Sequence, residues 1–230
     1  MNPLVKRFVA IGATSVIATT GAFLIDPWEG NENQAYRDIV GVATICRGQT
    51  KDVKMGDYRT NEQCDKSTVE DLEKYNKAML KYVKVRLEPY EEVAYTSFVW
   101  NLGEVNFKNS TLLKKLNVGD HSGACKELLR WNKAGGKEVR GLTNRRNHEY
   151  KVCIGEDEAV NNALKELEAF KKPSEAIKDE RSELPPIPVE TNAPSPSESV
   201  PEVLPSYEAS VPLTIPECRW KFFNVCLKRD

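Results

Sequence analysis

The first 26 residues show an abrupt change of polarity. Lys6 and Arg7 are followed by an uncharged run, Phe8 to Ile25, which Asp26 closes. As one helix, that run spans roughly 27 Å, just short of the hydrocarbon core of a bilayer. Further on, Asp38 to Gly48 reads DIVGVATICRG. It is β-branched, alternating and broken by glycine, which predicts a short twisted hairpin with Glu29 just before it, near a helix end. Thr60 and Gln63 form a capping box and open a long polar helix to about Val83. Leu72, Tyr75, Met79, Tyr82 and Val83 fall on one face of it. Pro89 suits the first turn of the next helix, an apolar stretch ending at Gly103, with Val93, Thr96, Ser97, Trp100 and Leu102 as core. Ser110 starts STLLKKLN, and Asp120 caps HSGACKELLRW. Gly135-Gly136 is a loop, and residues 142–154 and 156–171 are two further helices. The fold class is α+β with segregated layers: mainly helical, with one small sheet near the N-terminus.

From Pro173 the periodicity stops. Ten of the 13 prolines lie between there and the end, with Ser and Glu and no Gly. Residues 172–216 cannot build a core and are expected to be an extended, partly polyproline linker. In residues 217–230, Cys218 and Cys226 can close a small loop that presents Trp220, Phe222 and Phe223 beside Arg219, Lys221 and Lys228. Such a cationic aromatic knob suits an anionic membrane surface or a cell-wall polymer. The alternative is that it docks back on the preceding domain.

Charge and cysteines narrow the picture. With 33 Lys+Arg against 34 Asp+Glu, the net charge of -1 gives no global argument for nucleic acid. Six Cys occur without a CxxC pair. The two His, His121 and His148, lie in no HExxH pattern, so no metal site and no cofactor are expected. The basic residues before the uncharged run keep the N-terminus cytoplasmic and send the rest across the membrane. Six Cys in an exported chain read as disulfides. Fifteen pairings are possible, and sequence alone does not choose. The run itself is rich in Ala, Gly, Ser and Thr, and so only weakly apolar. A cleaved signal peptide, a permanent anchor and a segment that later leaves the bilayer all compete.

Candidate chemistry lies between these regions. Glu29 is followed by Asp38 nine residues on and Thr44 six further. This would place a carboxylic acid on a helix facing a carboxylate and a hydroxyl on a small sheet. Glycoside hydrolysis needs such a pair, one group to protonate the leaving oxygen and one to handle water or the sugar cation.

Glu29-Gly30, Tyr36, Asp38, Gly41, Thr44, Cys46 and Gly48 together resemble the catalytic signature of phage-type lysozymes, glycoside hydrolase family 24. SFVWNLG, STLLKKLN, GACKELLRW, AGGK and GLTNRR, then Glu149 and Cys153, resemble its later blocks in order, so the resemblance covers roughly 26–155. Gln49 departs from it, since the family usually has His there. The resemblance implies a two-lobed fold with the glycan cleft between the lobes, in a catalytic domain of residues 26–171. It implies a muramidase acting on the β-1,4 bond of peptidoglycan strands with inversion, which needs a carboxyl gap of roughly 6.5–9.5 Å. Glu29 would be the acid, and Asp38 with Thr44 would hold the attacking water. Arg145 would sit near Glu29. Pairing Cys46 with Cys64 and Cys125 with Cys153 would keep each bond within one lobe. Residues 1–25 resemble the signal-arrest-release segments of some phage endolysins. That implies contact with the inner membrane through residues 8–25, then a periplasmic monomer. The segment holds no Cys, so no thiol in it can attack an active-site disulfide. A lytic transglycosylase needs one acid only, and Asp38 and Thr44 argue against it. A non-catalytic wall-binding or membrane-disrupting protein is the rival of a different class.

Overall fold

The computed structural model describes residues 1–38 and 41–171, and two short strands, Lys221–Phe222 and Val225–Cys226. The linker expected over 172–216, the aromatic knob and the Cys218–Cys226 pairing lie outside the described residues.

The uncharged run does not form one helix. Helix α1, Pro3–Ala10, stops where Gly12 takes φ +95°, and α2, Ser15–Thr19, restarts with the Thr14 side chain accepting from the Ile17 amide. A π-helical segment, Thr20–Ile25, follows, and α3, Asp26–Glu29, completes the run. The expectation of a continuous span fails at Gly12, because glycine takes the left-handed conformation at little cost and so ends a helix. Among the described residues, no helix is long and apolar enough to cross a membrane. Instead Val5, Phe8, Ile17, Ala18 and Ile25 are buried with Val69, Leu72 and Leu167. The approach is tight: a Cβ on Gly21 would lie 2.3 Å from the Phe8 ring.

The hairpin begins earlier than the sequence pattern implies. Strand β1 is Glu32–Arg37 and β2 is Ala43–Cys46, antiparallel, with Tyr36 opposite Thr44 and Arg37 opposite Ala43. Asp38 lies in the turn and not on a strand. The polar stretch ENQAYR forms β1 because its partners are largely backbone and side-chain amides. Asn33 donates to the Arg59 carbonyl and to Asn61, and the Ala35 amide donates to the Asp57 carbonyl. Beneath it lies a small cluster of Ala35, Ile45 and the Cys46–Cys64 disulfide.

Helix α4, Asn61–Leu80, starts at the Thr60/Gln63 capping box and leads from this small lobe to the helical one. Helix α5, Pro89–Leu102, is buried on nearly all sides and forms the centre of the main core, its buried polar residues Ser97 and Asn101 hydrogen-bonded to Glu149 and Arg146. Around it lie α6, Glu104–Lys108; α7, Thr111–Leu116; α8, His121–Glu127; α9, Arg140–Cys153; and α10, Glu158–Lys171. The α6 turn, which buries Phe107, has too few residues to show a period. The Gly135-Gly136 loop is the turn of a second small sheet, β3 Lys133–Ala134 with β4 Lys137–Glu138. Both glycines have positive φ, the conformation a two-residue hairpin turn requires. Cys125–Cys153 ties α8 to α9. The two disulfides are the pairs the family resemblance implies. Strand β5, Lys221–Phe222, pairs antiparallel with β6, Val225–Cys226.

Candidate active site

Glu29 is the last residue of α3. Gly30, at φ +66°, ends that helix and turns the chain into β1, leaving the carboxyl on the side facing α9. There it accepts from Arg145 Nη1 at 2.9 Å, and its side chain is 12% exposed. It lines a small recess with Trp28, Asn101, Gly141, Leu142 and Arg145.

Behind Arg145 lies a buried network. Glu149 Oε1 accepts from Arg145 Nε at 3.3 Å, Arg146 Nη2 at 2.7 Å and Ser97 Oγ at 2.8 Å. Arg146 also donates to Asn101 Oδ1 at 3.1 Å, and its guanidinium lies 5.3 Å from the Phe98 ring centre. Arg146 is fully buried. Desolvation pulls its pKa down to about 10, with Arg145 pulling the same way and Glu149 opposing. With Glu29 ionised, the four charges alternate in sign, Glu29, Arg145, Glu149, Arg146, and sum to zero.

Asp38 sits at the start of the hairpin turn, buried to 9% exposure. Its amide donates to the Val42 carbonyl at 3.0 Å, and the Val42 amide donates to Asp38 Oδ1 at 2.8 Å. The Gly41 amide, at φ +82°, donates to the Asp38 carbonyl at 2.9 Å. Thr44 is fully buried, and its hydroxyl donates to the Val42 carbonyl at 3.1 Å. Thr44 therefore braces the turn that presents Asp38. Tyr36 lies opposite Thr44 across the hairpin. Burial raises its pKa first, and the charges of Glu29, Glu32 and Asp38 raise it further. Glu29 and Asp38 thus act on one side chain from different elements.

Gln49 is accommodated where the family resemblance expects His. Its Oε1 accepts from the Arg47 amide at 2.9 Å and its Nε2 donates to Thr68 at 3.3 Å. Arg47 is itself buried, bonded to Asp26 at 2.9 Å and Asp65 at 3.0 Å, with the Phe8 ring 5.5 Å away. Arg7 pairs with the same Asp65. The hairpin is thereby fastened to the first helix.

Sequence reasoning took Ser97 as plain core and gave Trp28, Asn101 and Arg146 no role at the site. A signal was present in α9, where a Glu three and four residues after two adjacent Arg must face them on one helix.

The phage lysozyme family model matches residues 26–149. An SAR-endolysin of Enterobacteria phage PA-2 is 42% identical over 161 residues, covering 67% of this chain and 98% of its own. An SAR-endolysin of Pseudomonas phage phiKMV is 42% identical over 147 residues, covering 62% and 89%. The solved endolysin of Escherichia coli O157:H7 phage FAHEc1 superposes with a TM-score of 0.54 at 34% identity, over 59% of this chain and 90% of its own. With Glu29 closing α3, Asp38 in the hairpin turn and a family match over more than half its length, this chain belongs to the phage lysozyme family.

Proposed function

We propose that this chain is a phage endolysin, a muramidase that cleaves the β-1,4 bond between N-acetylmuramic acid and N-acetylglucosamine in peptidoglycan and so lyses the host. The observation that carries the reading is Glu29 at a helix end, held by Arg145 Nη1 at 2.9 Å, followed by a second carboxylate, Asp38, buried at the start of the hairpin turn. Glu29 protonates the leaving glycosidic oxygen. Arg145 fixes its orientation and, when sugar enters the recess, takes up the charge left after proton transfer. Asp38 holds the attacking water on the opposite face of the sugar. Thr44 supports it through the Val42 carbonyl.

Relatives named SAR-endolysins support export across the inner membrane, tethering through residues 8–25 and release to the periplasm. The structure described here would then be the released form, because residues 1–25 are part of its core.

The test is mass spectrometry of fragments from purified peptidoglycan. Fragments that gain one water and end in ordinary reducing sugars are expected, with activity lost at least a hundredfold in Glu29→Gln and Asp38→Ala, in line with the loss of general acid–base catalysis. Anhydro-sugar ends would make it a transglycosylase, and full activity in either variant would remove that residue from the mechanism.

A further inference from the structure

We infer that Glu149 is a positioning residue for the acid: it holds Arg145 in register and sets the net charge around Glu29, although it touches no substrate. The inference rests on the muramidase reading. It starts from a charge count in a closed space. Glu149 is fully buried, and one oxygen, Oε1, takes donors from Ser97, Arg145 and Arg146. The other, Oε2, has no hydrogen-bond partner among the described residues, and neither do Arg145 Nη2, Arg146 Nε and Arg146 Nη1. Two guanidinium groups on adjacent residues of α9 thus share the one fully buried carboxylate, and only Arg145 has a second, Glu29.

A network built for stability alone would be expected to pair these groups fully, because each unsatisfied buried polar atom costs free energy. The arrangement instead leaves Arg145 with Nη1 directed at Glu29, while its Nε is tethered behind. With Glu149 neutral, Arg145 and Arg146 would repel each other, and the only carboxylate left to Arg145 would be Glu29 itself. An acid that must deliver a proton is poorly served by an uncompensated cation, which favours its ionised form.

Among the described residues, the ion pairs of these four groups are all with one another. Glu29 faces Arg145 from α9, and shares the field at Tyr36 with Glu32 and Asp38 from the hairpin. Glu149 faces Arg145 and Arg146 from its own helix, and the uncharged Ser97 and Asn101 side chains of α5 complete the network. The titratable His148 is paired with Asp157, and its ring lies tilted to that of Trp28 with centroids 6.3 Å apart. The net charge at Glu29 is therefore adjustable through Glu149 and Arg146 without altering a group that touches sugar.

The experiment is the kcat–pH profile of the full chain on soluble peptidoglycan fragments, for the parent, Glu149→Gln, Arg146→Met and the double variant. Glu149→Gln leaves the site one positive charge in excess. Its activity should fall off at a pH about one unit lower on the alkaline side, with kcat near neutral pH down roughly tenfold and KM within about twofold. Arg146→Met leaves one negative charge in excess and should move the same limb the opposite way. The double variant, again neutral, should return the limb to the parent position even if its overall rate is lower. If both single variants lose rate equally at every pH, or move in the same direction, Glu149 is structural only and the inference is overturned. Should Glu149→Gln fail to fold, Arg146→Met decides alone, since its displacement has the sign a loss of packing cannot produce. Failure of the parent to release hydrolysed fragments would instead overturn the muramidase reading beneath it.

Discussion

Glu127 illustrates how single charges are held in this chain. Its carboxylate is 10% exposed, 2.8 Å from Lys115 of α7 and 3.0 Å from Arg130. The hydrogen bond from Lys115 is the largest influence; together with Arg130 it outweighs burial and lowers the pKa. A carboxylate with a folded pKa below its unfolded value, about 4.3, adds stability above the unfolded value. That contribution is lost as pH falls through the folded value. Glu127→Gln should therefore melt below the parent at pH 6, and by less at a pH well under the unfolded value. Thermal denaturation followed by circular dichroism at the two values checks this, and an equal difference at both would show that packing, not charge, is what Glu127 supplies. At this scale the sequence is a good guide to groups with a fixed spacing. Glu29, Asp38 and Thr44 stand out because their separations suit a helix end followed by a hairpin. Ser97 and Asn101 do not, because their partner lies 52 and 45 residues away on another helix, and nothing local marks that they will meet.

At the scale of elements, the N-terminal run combines two demands in one composition. Its Thr20 hydroxyl donates to the Val16 carbonyl, but Ser15 Oγ and Thr19 Oγ1 are buried with no hydrogen-bond partner among the described residues. Each such group is expected to cost about 1–3 kcal/mol in the folded chain. The same hydroxyls make the run less apolar and hence easier to withdraw from a bilayer. Thr19→Val should accordingly raise the melting temperature of the purified protein by roughly 2–4 °C while slowing appearance of soluble enzyme in the periplasm. Fractionation of expressing cells together with a thermal melt tests both halves; a lower melting temperature would mean that Thr19 has a role in the core. The elements that could be read in advance are those with strong local signals. The capping box at Thr60 places α4, and Pro89 and Gly103 bound α5. The start of β1 is hidden because its pattern is polar and its partners, Asp57, Arg59 and Asn61, come from a loop and a helix start. The break at Gly12 is hidden for another reason: an uncharged run reads the same whether it crosses a membrane or folds back on itself, and only the packing of Phe8 against Gly21 distinguishes them.

For the whole molecule, these two scales meet in the dependence of the small lobe on the first helix. Asp26 begins the helix that ends in Glu29, and it is bonded to Arg47 at the end of the hairpin. Arg47 lies between Asp65 and the Phe8 ring, and Arg7 closes the group on Asp65. In the proposed tethered state, with residues 1–25 in a bilayer, Phe8 and Arg7 would be absent from this cluster, and Asp26 would be held at the membrane surface. Arg47 would then be left without its aromatic cover, and Val69, Leu72 and Leu167 would lose the side chains that bury them. Fully burying each large apolar side chain is worth roughly 1.5–3 kcal/mol. Removing Val5, Phe8, Ile17 and Ile25 together therefore subtracts an amount comparable to the 5–15 kcal/mol that stabilises a typical domain. A chain beginning at Asp26 should consequently show no cooperative melt for the small lobe, and less than about 1% of the parent's rate on peptidoglycan, although every residue assigned to the chemistry is present. Circular dichroism melts and a turbidity assay on purified cell walls measure the two quantities. Parent-like activity in the shortened chain would reduce the segment to a delivery device. Loss of activity with a native melt would point to Asp26 and Arg47 as the link, since these connect the first helix to Glu29 without contributing to the main core.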